Sequence, residues 1–446
     1  MAEKIHELAI LEINTSFGYA GAQRTMISFC KYFNPRYFRV YAVSYGEGGP
    51  REKDLQKMGV EYLIANYDIS KIVSFAKEKK IEIIHIHRSG RYNEFEYSLM
   101  KALHDTLPKS VFIETNVFGE FDKMSDRLID CHLMKSKMML NERFVKESEY
   151  FDFKRMKVIY NPVDSTLFEK FVLSPEEIIA YKKELGIKDT DFVIGRLGRP
   201  DIAKWGDLVL DMLPTLIKLV PNVKCILQAV PQSRSKKIKN SFLKKYCVLL
   251  PETSNESEVH RFYQTIDVLA HSSKIGEAFG NTLNEAMYWK KPVVVNSTPH
   301  RDNGQLEQIE HMTTGIIANF PETFARAIAY LATHTDEMRR MGENGRRKVT
   351  TEYNPQITTR RLEKVFIEKM LEKKEVEELN SEVIQFYSDI SNFPSEADIV
   401  AYREEYKKLT KCEFGRVTEA EKIRNLFRRP IYWYRKMADF IEHRFS

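Results

Sequence analysis

"IDVLAHSSKIGEAFGNTLNEA", residues 266–286, passes from an apolar run into a polar loop and then into a helix start. Ile266 to Ala270 reads as a short buried strand, His271 to Gly280 as a loop, and Asn281 onward as a helix. In that setting the backbone amides of Asn281, Thr282 and Leu283 are the unpaired donors of a helix N-terminus, a ready anion site. Gly280 lets a ligand approach that backbone closely. Glu277 lies on the loop and Glu285 about one turn into the helix, eight positions apart. Spacing alone is equally satisfied by a solvated loop acid and a helix-start acid. The strand–loop–helix unit itself is the building block of a doubly wound parallel sheet.

Outward from this stretch the alternation repeats. Upstream, "LAILEIN", "FRVYAVSY", "IEIIHIH", "SVFIET" and "IDCHLM" read as buried strands separated by segments of helical periodicity. "SPEEIIAYKKELG" (174–186) is a well-marked helix, with Ser174 as cap, Pro175 in the first turn, two early glutamates and Gly186 as terminator. After it come "FVIGRL", "VKCILQA", "CVLL", the strand of the opening stretch, "PVVVN" and "GIIA". The expected fold class is α/β, with two Rossmann-like domains over 1–170 and 171–354. From about 321 the chain reads as helix only, with a cross-over helix over 355–375 and a helical extension over 376–446. Ligands of such folds sit beyond the carboxyl ends of the strands, so the cleft between the domains is the expected site.

Three further stretches follow strand ends. "VIGRLGRPDIAKWG" (193–206) ends a strand in a turn holding Arg196, Arg199 and then Lys204. An Arg and a Lys there can converge on one phosphate, the first as a planar fork and the second as a point charge. "NTSFGYAGAQR" (14–24) places Gly18 and Gly21 between strand and helix, as in loops that admit phosphates or simply turn tightly. In "HIHRSGR" (85–91) His85 and His87 share one face of a strand, suited to a cleft or to a core. With no acid near in sequence, the two histidines make a poor metal site.

Together these stretches resemble the retaining GT-B glycosyltransferases of family four (glycosyl transferases group 1). "GEAFGNTLNEAMYWKKPVVVNS" resembles their E-x7-E region, "GRPDIAKWG" their Arg…Lys diphosphate pair, "AGAQR" their first Gly-rich loop, and "VIYNPVD" (158–164) the segment closing their first domain. The resemblance implies an acceptor held mainly by the first domain and a nucleotide-sugar donor held mainly by the second. It implies retention of anomeric configuration, no metal and no cofactor beyond the donor itself. Carried residue by residue, Arg199 and Lys204 bind the diphosphate, Glu277 faces the sugar at the reacting centre, and Glu285 binds the ribose. Gly280, Asn281, Thr282 and Leu283 line the donor, with Gly21 opposite. Arg196 competes with Arg199 for the phosphate. Pro162 replaces a usual glycine, and Asn116 in "IETNVFG" stands where the family often has a histidine. Asn116 and His87 are the expected acceptor contacts.

Composition sets bounds on the rest. The 446 residues are 43% hydrophobic, enough for two cores. No apolar run approaches the roughly 18 residues of a membrane span. "MAEKIHELAILEIN" carries acids within its apolar part, so it reads as a first strand and not a secretory signal. The five cysteines are scattered without paired spacing, as expected of a cytoplasmic protein. Net charge is +6, and seven Lys or Arg against two acids fall within 422–446, so the body is near neutral and nucleic acid is not an expected partner. That tail combines basic residues, aromatics and an apolar stripe at helical spacing, which suits an anionic membrane surface or a packing face. The expected partners are a nucleotide sugar and a glycan or lipid-linked acceptor. A sugar-nucleotide epimerase on the same fold and a non-enzymatic basic binding protein are the rival readings.

Overall fold

The computed structural model describes residues 6–146, 148–202, 204–299, 301–373, 381–391 and 394–428, with side chains 144–148 and 424–428 outside the description. Its first sheet is formed by β1 (Leu8–Asn14), β2 (Phe38–Ser44), β3 (Glu61–Ile64), β4 (Ile83–Arg88), β5 (Val111–Asn116), β6 (Cys131–Met134) and β7 (Met156–Val158). The seven strands lie parallel in the order β3-β2-β1-β4-β5-β6-β7. The second sheet is formed by β8 (Phe192–Arg196), β9 (Val223–Gln228), β10 (Cys247–Leu250), β11 (Val268–His271), β12 (Val293–Val295) and β13 (Gly315–Ile317). Its order is β10-β9-β8-β11-β12-β13, again parallel throughout. The expected α/β fold with two doubly wound halves is therefore what the chain forms.

Each sheet reverses its strand order once, between β1 and β4 in the first and between β8 and β11 in the second. A crevice opens at such a reversal, outside the carboxyl ends of the strands. The two crevices face each other: a Cβ added at Gly21, after β1, would lie 3.3 Å from Asn281 Nδ2, after β11.

Local chemistry explains the elements. All seven residues of β1 are buried, as a central strand covered on both faces requires, including the polar Glu12 and Asn14. The helix Pro175–Glu184 has the capping box read from the sequence, Ser174 and Glu177 satisfying each other's amides, and it ends at Gly186 with φ +69°. Two strands, β3 and β7, escaped the sequence reading; β3 is an incompletely buried edge and β7 has only three residues.

After Pro321 the described chain is helical: Pro321–Thr333, Thr335–Glu352, Pro355–Lys373, Ser381–Ser388, Glu396–Leu409 and Glu419–Arg428. Helix Pro355–Lys373 turns back onto the first sheet, where Leu362, Phe366, Ile367 and Met370 join the core of β1, β4 and β5. Glu363 anchors it, accepting from the Asn34 amide at 2.5 Å and the Tyr387 hydroxyl at 2.9 Å while pairing with Arg360. The extension then crosses to the second domain. There Asn303 Nδ2 donates to Tyr406 Oη at 3.1 Å, and the Asn319 amide donates to Glu413. A second seam contact is Glu307 of the second domain, which accepts from the Met138 amide at 3.1 Å and from Tyr160 at 2.6 Å. Among the described residues no helix is long and apolar enough to cross a membrane. Of the basic stretch 422–446, only the backbone to Arg428 and the side chains of Lys422 and Ile423 fall within the described residues.

Glu363→Ala leaves a half-buried amide and a buried hydroxyl without their acceptor. It should cost about 3 kcal/mol in urea unfolding, and Glu363→Gln clearly less. Equal losses in the two variants would show that the helix is not held by this acceptor.

Candidate active site

Arg196 ends β8 and is turned inward. Its guanidinium donates to the carbonyls of Leu197, of Lys204 at 2.9 Å and of Ser272 at 3.0 Å, and it lies over the Trp205 ring at 4.8 Å. Burial pulls its pKa down to about 10, so it stays charged at neutral pH. These contacts tie the loops after β8 and β11 together. Arg196 is thus a support of the loops, with both terminal nitrogens engaged by backbone carbonyls, and three of its five N–H groups are used in this way. Arg199, three residues on, is exposed.

Lys204 points at the other loop. Its ammonium donates to the Gly276 carbonyl at 3.0 Å and to Glu277 Oε2 at 2.9 Å. His271 Nε2 lies 3.3 Å from Glu277 Oε1 without the alignment of a hydrogen bond. Burial pushes the Glu277 carboxyl up, but His271 and Lys204 outweigh burial and hold its pKa at about 2. His271 itself is pulled down, first by burial and then by Arg196, so Lys204 is the cation that faces Glu277 at neutral pH. The loop can be this tight only because Gly276 takes φ +68°; a Cβ there would fall 1.5 Å from the Asp302 carbonyl oxygen.

Helix Asn281–Tyr288 follows, with Gly280 as its cap residue. The Gly280 amide donates to Gln308, and the Leu283 amide folds back on the Gly280 carbonyl at 3.1 Å. Of the three amides expected to serve a ligand, Leu283's is therefore occupied, and those of Asn281 and Thr282 head the helix. Glu285 is buried; it accepts from Arg24 of the first domain at 2.5 Å and from Tyr263 at 2.9 Å. Arg24 also reaches Glu256, at 3.2 Å. Arg24 closes the stretch "AGAQR", but nothing in its spacing marks it as a partner of residues more than two hundred positions away.

The first-domain expectations divide. His87 is buried at the end of β4, donating from Nε2 to Glu12 Oε2 at 2.8 Å. His85 meets Glu12 Oε1 at 2.7 Å and Thr115 at 2.7 Å. An acid does therefore stand beside the histidine pair, supplied by β1, and the three side chains bring ligand-type atoms within 4.8 Å of one another. Both Glu12 oxygens are already bonded to the rings. Asn116, by contrast, has both ends of its amide in its own loop, donating to the Glu120 carbonyl at 2.6 Å and accepting from the Gly119 amide at 2.7 Å. It closes the loop after β5, with one donor and one acceptor position of its amide used there.

Residues 177–348 match the family model described as Glycosyl transferases group 1. A trehalose synthase of Thermococcus litoralis is 25% identical over 236 residues, 50% of this chain and 54% of that protein. The chain thus spans about half the length of the curated relatives it matches. Among solved structures, a glycosyltransferase of Rickettsia africae superposes with TM-score 0.66 at 18% identity, covering 82% of this chain and 99% of that one. HepE of Anabaena, solved with UDP, superposes with TM-score 0.65 at 17% identity, covering 80% and 98%. These likenesses establish the GT-B architecture for the two facing sheets.

Because the folded Glu277 carboxyl ionises below its ordinary 4.5, it adds stability above that pH and loses it as pH falls toward 2. Lys204→Met removes the facing cation. The Glu277 pKa should rise from about 2 while His271 keeps part of the depression, and acid unfolding should begin at higher pH, followed by carboxyl-carbon NMR and urea melts. A titration midpoint that stays near 2 would refute the pairing.

Proposed function

We propose that the protein is a retaining glycosyltransferase that moves a sugar from a nucleoside-diphosphate donor to a glycan or lipid-linked acceptor at the cytoplasmic face of a membrane. The observation that carries this reading is the meeting, at one switch point of the second sheet, of Lys204 and Glu277 beside a helix N-terminus that carries Glu285 in its second turn.

Breaking a sugar–diphosphate bond puts positive character on the anomeric carbon and negative charge on the departing phosphate. Lys204, the exposed Arg199 and the amides of Asn281 and Thr282 are donors suited to that phosphate. Glu277, ionised well below neutral pH, suits the sugar hydroxyls and developing positive charge. Glu285 suits the ribose hydroxyls. A departing phosphate oxygen can take the acceptor proton on the face it leaves, which accounts for retention without a protein nucleophile. Protein cations already serve the phosphate, so we expect transfer to survive EDTA.

Lys204→Ala and Arg199→Ala should each slow transfer by about 2–4 kcal/mol of barrier. The check is release of free nucleotide from UDP-, GDP- and ADP-sugars with an acceptor, and NMR of the product anomer. Near-normal rates in both folded variants would remove the diphosphate assignment, and turnover without any acceptor would favour an epimerase. Glu285→Gln should weaken nucleoside diphosphate binding by about 1.5–3 kcal/mol in calorimetry. The basic tail is read as the membrane contact, at about 1 kcal/mol per basic residue near an anionic surface. Removing 422–446 should abolish salt-sensitive binding to anionic vesicles and leave nucleotide affinity intact; unfolding of the shortened protein would make the tail a packing element instead.

A further inference from the structure

The first domain holds a second group of buried polar atoms that the donor chemistry does not use. β1 and β4 run side by side with Ile13 opposite Ile86, which brings the next residues, Asn14 and His87, to adjacent strand ends. Gln23, on helix Gly21–Tyr32, donates to Asn14 Oδ1 at 3.2 Å. Lys135 directly follows the last residue of β6, and its charge acts on His87. Asn14, Gln23, His87 and Lys135 are only 2%, 8%, 2% and 4% exposed.

Each carries an unspent group. Among the described residues, Asn14 Nδ2, Gln23 Oε1 and His87 Nδ1 have no hydrogen-bond partner. Lys135 forms no ion pair or hydrogen bond among them, and burial is what moves its amine, down to about 8, so it remains mainly protonated at neutral pH. Glu12 is the near acid, but its two oxygens are taken by His85 and His87. His87 is held neutral, its pKa pulled by burial to about 4, and Nε2 donates to Glu12. Its Nδ1 is therefore a lone-pair acceptor. Native proteins seldom leave so many buried polar atoms unpaired in one place, and an ammonium without a counter-charge is the costliest of them.

The place is also right for a ligand. The row lies at the switch point of the first sheet, on the edge that meets the second domain. Gly21, two residues before Gln23, abuts Asn281, and the Met138 amide, three residues after Lys135, is bonded to Glu307.

We propose that Asn14, Gln23, His87 and Lys135 form the acceptor subsite, and that the acceptor carries an anionic group, paired by Lys135, beside a hydroxyl held by His87 Nδ1 and the two amides. This rests on the glycosyltransferase reading above. A phosphate and a carboxylate share the required chemistry, and the test separates them.

Full-length protein saturated with UDP is titrated with glucose, glucose 6-phosphate and glucuronate, and binding is read by calorimetry. At least one anionic sugar should bind about tenfold or more tightly than glucose, as a charge-assisted contact demands; which one it is names the anion. Lys135→Met should erase the preference and Lys135→Arg should keep much of it, with thermal melts confirming that both fold. The proposal is overturned if no anionic sugar binds more tightly than glucose, if the preference survives in Lys135→Met, or if Lys135→Arg loses it equally. A fall in UDP affinity with Lys135→Met would place the amine on the donor side and also overturn it. If the wild-type protein binds none of UDP, GDP and ADP, the donor reading fails, whereas the same sugar series without nucleotide still decides the subsite; if it binds GDP or ADP instead, that nucleotide replaces UDP in the titration.

Discussion

Arg24 joins the two halves of the molecule at the point where a ligand would lie. A carboxylate buried as deeply as Glu285 must be paired, and Arg24 from the first domain does so together with Tyr263. The second branch of the same guanidinium holds Glu256. The seam between the sheets is thus set by a carboxylate that is also the proposed ribose ligand. Ribose hydroxyls arriving at Glu285 exchange one set of donors for another. Nucleotide affinity is then a difference between two hydrogen-bonded states, and the position of the first domain is part of that difference.

The same distinction, between charges already spent and charges held in reserve, separates scaffold from site elsewhere. Arg88 is buried under β4 and β5 among Glu96 at 3.0 Å, Asp122 at 3.2 Å and Glu114 at 3.7 Å. His132 continues that cluster to Glu114 and Asp126, and Asp126 pairs with Arg155. Every cation there faces acids, so the cluster ties the strands and the loops beside them together. Arg196 is spent on carbonyls in the same way. Arg199 and Lys135 are not spent. Arg88, Arg196 and Lys135 all stand at the ends of strands, so the surrounding acceptors, not the position, decide the role.

This explains what the sequence could and could not tell. The strands were legible because runs such as "LAILEIN" and "PVVVN" have no other home than a buried parallel sheet. Edge strands β3 and β7 lack such runs. The loops after β8 and β11 were legible as loops because each belongs to a single strand–loop–helix unit whose residues lie within about a dozen positions of one another. Arg196 and Arg199 could not be told apart, since the inward turn of Arg196 depends on Trp205 and on carbonyls from two loops. Asn116 ends a strand as a ligand residue would, but a strand-end loop must also be closed, and its amide performs that task. Glu12 was invisible beside the histidines because the contact spans 73 positions.

The two domains therefore differ in how they encode chemistry. On the second, the amides, the Lys and the two acids proposed for the donor lie in two βα loops, so that proposed site is local in sequence. On the first, the unspent atoms come one each from the ends of β1, β4 and β6 and from helix Gly21–Tyr32. No short window contains them, and only the register of parallel strands brings Asn14 beside His87. Such a subsite can change its ligand through a single substitution at any one strand end while the sheet beneath is untouched. Lys135, directly after β6 and buried without a counter-ion among the described residues, is the one charge in that proposed subsite, and the packing of the sheet rests on the residues before it.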